Sequence, residues 1–171
     1  MKQTNRGKDF EGKIRAGLEK ASHVSADRFA DPVGGYLGVK NICDFVFYQF
    51  PTELYVECKA IYGNTLNFKS DITQNQWDGL KDKAPIRGVV AGIAVWFIEW
   101  DVTVFVPITE LVKLRENGAK SLNITDIQDN KIYYIPIPGR KLKVFYDYDG
   151  IGFMKRIQEY SKELWKWGGH K

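Results

Sequence analysis

The chain reads as α/β, a mixed β-sheet flanked by helices, and three observations carry that expectation. Segments with the apolar spacing of amphipathic helices alternate with short runs rich in β-branched and aromatic residues. Clusters of Pro, Gly and Asn punctuate the boundaries between them. No repeat, low-complexity tract or linker interrupts the 171 residues, so residues 1–171 are expected to form one domain around one sizeable core.

The elements follow in order. Phe10, Ile14, Leu18 and Ala21 recur at helical spacing and predict a first helix over residues 8–21. Between Ser25 and Asn41 the stretch DPVGGYLG predicts a turn-rich connection rather than a periodic element. NICDFVFYQF and ELYVECKA alternate on either side of Pro51 and Thr52, which predicts a β-hairpin over residues 42–60. After the polar stretch YGNTLNFKSD, Thr73 is suited to cap a helix, TQNQWDGLKDKA, and two apolar strands follow, GVVAGIAVWFI and VTVFVP. Thr109 is expected to cap ITELVKLRENG, which ends at Gly118. The last third predicts strands near KIYYIPI and KLKVFYDY, then a helix from about Gly150 to Trp167.

Composition narrows the function classes. Hydrophobic residues at 44% and charged residues at 27% describe a globular chain, and no apolar run approaches the ~20 residues that cross a bilayer, so no membrane role is expected. The opening MKQTNRGKDFEGK lacks an apolar signal core, and Cys43 and Cys58 are too few for a disulfide framework, which points to a reducing, cytoplasmic setting. A net charge of +4 mildly favours an anionic partner. Only His23 and His170 are present, which gives a histidine-based triad or zinc site little support, and no phosphate-binding G-x-x-x-x-G-K-[ST] loop exists.

The hairpin raises a sharper question. Charged residues in a half-buried strand cost free energy unless something compensates them, yet ELYVECKA carries Glu57 and Lys59. Alternate residues of a strand share a face, so these two project together about 6.6 Å apart while Val56, Cys58 and Ala60 face the other way. Asp44, on the partner strand, falls opposite Lys59 if the turn is centred between Pro51 and Thr52, and opposite Glu57 after a shift of two. Either register brings Asp44, Glu57 and Lys59 to one face, whereas a slip of one residue separates Asp44 from the others. Two adjacent carboxylates repel and raise each other's pKa unless a cation intervenes. Mg²⁺ or Mn²⁺, which prefer oxygen ligands, suits such a pair, and the nearby ammonium of Lys59 suits charge developing on a phosphate oxygen. Periodicity alone leaves a second reading open: a cross-strand salt bridge at a sheet end, of ~0.2–1 kcal/mol and no further function. The bare spacing of an acid two before a lysine also occurs at Glu11 with Lys13 and at Asp129 with Lys131. Cys43 and Cys58 read as reduced thiols facing away from the charged face.

Asp44 followed by Glu57-Cys58-Lys59 resembles the PD-(D/E)xK nuclease signature, with Cys43 in place of the proline. Within that superfamily the chain is similar, from end to end, to RecU-type Holliday-junction resolvases. NRGKDFE at residues 5–11 resembles the family's Asn-Arg-Gly opening and its acidic first helix, and NTLNFKSDITQNQW at 64–77 resembles its Thr and Phe stretch and Gln-bearing helix. AKSLNITDI and DYDGIGFM resemble later landmarks. The resemblance implies a restriction-endonuclease-like core and a Mg²⁺-dependent endodeoxyribonuclease, with Mn²⁺ able to substitute. Asp44 and Glu57 are then the metal ligands, Lys59 assists the nucleophile and Glu11 adds an acidic group. Arg6 and Gln76 lie near the DNA backbone or the active site. The implied partner is a four-way DNA junction, cut by a homodimer because a two-fold substrate matches a two-fold protein. The setting is the nucleoid, or the host cytoplasm for a phage-encoded chain. The segment ADPVGGYLGVK stands where relatives carry a stalk that enters the junction centre. It is short and Gly-rich, so junction choice, against cleavage of duplex or flap DNA or binding without cleavage, is the less determined part of the reading. Apart from the resemblance, Glu11 reads as a solvated flank of the first helix, Gln76 as an ordinary polar helix position and Arg6 as an exposed cation near a helix start.

Overall fold

The computed structural model describes residues 5–28 and 41–166. Helix α1 spans Arg6–Leu18, two residues ahead of the expected start, because the side chain of Asn5 caps it by accepting from the Lys8 N–H. Strand β1, Ser25–Arg28, is a departure from the turn-rich connection expected there. Its residues Ser25, Asp27 and Arg28 are polar and exposed and only Ala26 packs against the core, too little alternation to mark a strand, and pairing with the next strand makes them extended. DPVGGYLG lies outside the described residues.

Strands β2, Phe45–Gln49, and β3, Thr52–Ile61, form the expected antiparallel hairpin. A three-residue strand β4, Thr65–Asn67, precedes α2, Gln74–Lys83, which Thr73 caps as its spacing to Gln76 suggests. Strands β5, Val89–Phe97, and β6, Val102–Pro107, follow as expected. Helix α3, Ile108–Glu116, is a correction at one residue: Thr109 is not its cap. Pro107 stands at that position, and no side chain caps the helix start. Gly118 does close the helix, with φ +90° just past its end. Strand β7, Ser121–Asn123, pairs with β4, and helix α4, Ile124–Gln128, starts from a capping box of Asn123 and Asp126. The long strands expected near residues 131–148 are shorter: β8 is Ile135–Pro136, and β9, Gly139–Lys141, pairs with β10, Tyr146–Tyr148, across a turn. Helix α5 runs Gly150–Lys166.

The result is a mixed six-stranded sheet in the order β1-β2-β3-β5-β6-β8, with helices on both faces. Strands β3 and β5 are its parallel centre, joined through α2, and the remaining neighbours are antiparallel. Alternation along the strands divides the core. Val89, Ala91, Ile93 and Val95 of β5 and Tyr55 of β3 pack beneath α2 and α3 with Trp77, Leu80 and Leu111. Val90, Ala94 and Trp96 with Leu54, Val56 and Cys58 pack beneath α1 and α5 with Phe10, Ile14, Phe153 and Met154. Glu57 and Lys59 share the parity of Tyr55 and therefore project to the α2 side.

Close packing holds α2 against the segment leading into β2. A Cβ built on Gly79 would stand 2.3 Å from Ile42 Cγ2 and 2.5 Å from its Cβ. Alanine improves helix propensity by up to ~1 kcal/mol, but overpacking costs ~1–3 kcal/mol, and here the clash reaches a branched carbon next to the backbone. Gly79→Ala is therefore expected to lower the melting temperature, read by thermal unfolding; an unchanged or raised value would show that Ile42 yields freely.

Candidate active site

The site forms where β2 leaves β3. Phe45, opposite Val56, is the last residue in regular register. One residue earlier, the Asp44 N–H still donates to the Val56 carbonyl at 3.1 Å, but its carboxylate Oδ2 accepts from the Cys58 N–H at 2.8 Å. A side chain thus takes over an acceptor's place that the departing strand gives up, and Asp44 is fixed against β3 by it. Because Gln49 pairs with Thr52, the turn is centred between Phe50 and Pro51. Extending that ladder by one residue sets Asp44 opposite Glu57 rather than Lys59, with the parity that keeps all three on one face.

Glu57 is buried at 3% exposure in the middle of the sheet. Its Oε1 accepts from Lys59 Nζ at 2.8 Å and from Gln76 Nε2 at 2.6 Å. Its Oε2 is buried without a hydrogen-bond partner among the described residues. The salt bridge is thus within one strand, not across two. The side-chain amide of Gln76 is engaged at both ends, Oε1 accepting from the Thr73 N–H at 3.0 Å and Nε2 donating to Glu57, while the backbone N–H of Gln76 donates to Thr73 Oγ1 at 3.2 Å. With its oxygen committed to the capping box, the amide nitrogen faces Glu57, so the first turn of α2 orients the buried carboxylate.

Two more charged residues complete the surroundings. Arg28 is in register with Phe45, which brings it beside Asp44, and its Nη2 lies 3.5 Å from Glu11 Oε2 on α1. Nothing in the polar run of β1 marked Arg28 in the sequence. Glu11 raises the Glu57 carboxyl electrostatically, which places its charge at the margin of the site. Arg6 is set apart from the carboxylates: its guanidinium lies 5.9 Å from the ring centres of Tyr62 and Phe145. Tyr62 follows β3 three residues past Lys59, about 10 Å along the strand.

The electrostatics follow from burial. Loss of water, then the neighbouring Asp44 carboxylate, pushes Glu57 up to about 7 against the pull of Lys59. Burial also raises Asp44, opposed by the Cys58 N–H, by Lys59, by a hydrogen bond that the Glu57 carboxyl can share with it when protonated, and by Arg28. The thiols stay protonated: burial and the adjacent carboxylates push Cys43 up to about 12 and Cys58 well up. Cys58 packs into the α1 face of the core, away from the charged face as expected, but Cys43 is a correction: past the end of β2 it packs on the α2 face with Tyr55 and Trp77, the side to which Glu57 projects. Among the described residues no group of three or more His, Cys, Asp and Glu forms a full ligand cage. Asp44 and Glu57 side by side, with one buried oxygen lacking a donor, match instead a small hard cation that takes one or two carboxylates and keeps its waters.

No family model matches the chain, and no curated protein matches it. Among solved structures the fold is similar to that of Hjc, a Holliday junction resolvase from the archaeal hyperthermophile Archaeoglobus fulgidus. The identity is 23%, the match covers 70% of this chain and 89% of that one, and the TM-score is 0.49.

A carboxyl whose folded pKa lies above its ordinary 4.5 stabilises the fold while protonated. In metal-free protein this contribution from Glu57 is fully present below about pH 4.5 and is lost as pH rises through about 7. Glu57→Gln cannot ionise, so its melting temperature in EDTA, relative to wild type, should climb between those pH values. A difference independent of pH would contradict the raised Glu57 pKa.

Proposed function

We propose that the protein is a Mg²⁺-dependent endodeoxyribonuclease of the RecU-like, PD-(D/E)xK type that resolves four-way DNA junctions by phosphodiester hydrolysis. The observation that carries the reading is Glu57, buried with an unpartnered Oε2 beside Asp44 while Lys59 holds its other oxygen. A salt bridge serving stability alone would account for Lys59 and Oε1. It leaves a second buried acid and an undonated oxygen unexplained, an arrangement that costs stability in the absence of a cation.

Asp44 and Glu57 would hold Mg²⁺ or Mn²⁺, which supplies Lewis-acid activation of water and of the phosphoryl centre when bound. Gln76 holds Oε1 of Glu57 and leaves the buried Oε2 without a donor among the described residues. Lys59, 21% exposed at its side chain, reaches both the buried Glu57 and solvent, where its ammonium can orient the attacking water or stabilise charge on a non-bridging phosphate oxygen. Glu11 supplies a further acidic group at the margin, and Arg28 joins Arg6 as a cation suited to the DNA backbone. A homodimer would pair two such sites for the two symmetry-related strands of a junction. The protein would act in the cytoplasm on nucleoid or phage DNA.

Asp44→Asn and Glu57→Gln should each abolish cleavage in saturating Mg²⁺ while leaving junction binding equal or tighter, since each removes negative charge facing a polyanion. Gel assays of cleavage and binding on one labelled junction read both, and full activity in either variant sinks the metal-site assignment.

Lys59→Met keeps the aliphatic stem and lets Glu57 carry a proton in its place. Its fold should persist, and its single-turnover rate should fall at least ~10²-fold, the scale for one electrostatic stabiliser. Loss of activity only in step with loss of folded protein would return Lys59 to a structural role.

Junction preference stands on the resemblance of the chain to RecU-type resolvases. A four-way junction should outcompete linear duplex of equal length at ~0.15 M salt. Equal competition would point to a nuclease of duplex or flap DNA.

A further inference from the structure

On the α2 side of the sheet, a second concavity of about 650 Å³ opens beside the first turn of α2. Lys69, Arg115 and Lys120 line it with Asn67, Gln74 and Trp77, and no carboxylate is among its lining residues, although the Gln74 amide is bonded to Asp78 at 2.9 Å and the Asn67 N–H to Asp71 at 2.7 Å just behind the wall. The chain has 21 Asp and Glu residues, and Lys20, Lys59, Lys113, Lys131 and Lys141 each pair with one. Among the described residues none of the three cations of this pocket forms such a pair.

Two of the walls are held in place before any ligand arrives. The Arg115 guanidinium lies 4.8 Å from the centre of the buried Trp77 ring, which immobilises its plane and leaves its N–H edges for an anion. Asn67 Oδ1 accepts from the Lys69 N–H at 2.9 Å and the Ser70 N–H at 3.2 Å, fixing the turn that carries Lys69. A positive concavity with fixed donors suits phosphate oxygens and loses less entropy on binding than free surface lysines do.

Its position ties it to the candidate active site. Gln76 reaches Glu57, while Gln74 and Trp77, one to two residues away on α2, face the pocket. A strand with its scissile phosphate at Glu57 passes the first turn of α2, a helix ~10–12 Å across with its side chains, to reach Lys69 and Lys120. We propose that this pocket binds backbone phosphates of the DNA flanking the cleaved bond, so that α2 serves both sites: one side of its first turn orients the buried carboxylate and the other borders the flanking strand. This assignment rests on the nuclease reading above.

The test compares two double variants of equal charge, both made on the full chain and checked for unchanged melting temperature. Lys69→Gln/Lys120→Gln removes two pocket cations, and Lys155→Gln/Arg156→Gln removes two exposed cations from α5, across the sheet. Binding of a fluorescent four-way junction and a fluorescent duplex is measured by anisotropy in EDTA from about 50 to 200 mM salt. Each lost phosphate contact lowers the slope of log affinity against log salt by ~0.9, so the pocket pair should flatten it by one to two and weaken binding about 10-fold. Its cleavage of the junction at subsaturating protein in Mg²⁺ should fall in step with the lost affinity, while the α5 pair cleaves as wild type does. A pocket pair indistinguishable from the α5 pair, with wild type cleaving normally, overturns this inference alone. A wild type that neither binds nor cuts either DNA overturns the nuclease reading and the inference together.

Discussion

The constraint on which this structure turns is a carboxylate in the middle of a sheet. Glu57 sits in β3 between β2 and β5, in a row whose other members include Tyr55 and Ile61, and is 3% exposed. An ionised group so placed is costly by any estimate of transfer from water, and the fold offsets that cost with Lys59 two residues along the strand and Gln76 from the neighbouring helix. Both donors converge on Oε1. Burial, and after it the Asp44 carboxylate alongside, keep the group partly proton-seeking, with its pKa pushed up to about 7. A protein selected only for stability gains from Leu or Val here, so the retained charge argues for use.

The rest of the architecture positions that group. Parallel pairing of β3 with β5 requires a crossover, and α2 supplies it on the face to which Glu57 points. The capping box that starts α2 is the same set of atoms that orients Gln76, so the helix terminus and the site share their hydrogen bonds. On the other edge β2 diverges one residue before it would cover Glu57. Asp44 fills the gap, its carboxylate bonded to the Cys58 N–H. Glu11 and Arg28, from α1 and β1, close the outer rim as an ion pair.

The sequence revealed this centre because it depends on short-range regularities. Period-two alternation and the turn at Pro51 bring Glu57, Lys59 and Asp44 to one face without knowledge of tertiary structure, whereas Gln76 read by itself as an ordinary polar helix position and entered only through the resemblance. What the sequence left undetermined was register: two hairpin alignments shared that parity, and the turn at Phe50–Pro51 selected one. Elements defined by distant partners were also hidden. Strands β4 and β7 are three residues each and exist through each other, and β1 is extended only because β2 lies beside it. Arg28 was missed with β1. Thr109 failed as a cap for a local reason, since Pro107 already stands at the N-cap position and Thr109 lies inside the first turn of α3.

Metal-dependent hydrolysis at Asp44 and Glu57 requires that these two acids answer to a divalent cation. The most direct measurement is the titration of the Glu57 side-chain carboxyl by carbon-13 NMR, with Glu57→Gln to assign the resonance, in EDTA and again in Mg²⁺. The account predicts a midpoint near 7 without metal and a fall of at least one pH unit with it, as the cation takes the place of the proton. A midpoint near the ordinary 4.5, unmoved by Mg²⁺, would contradict it.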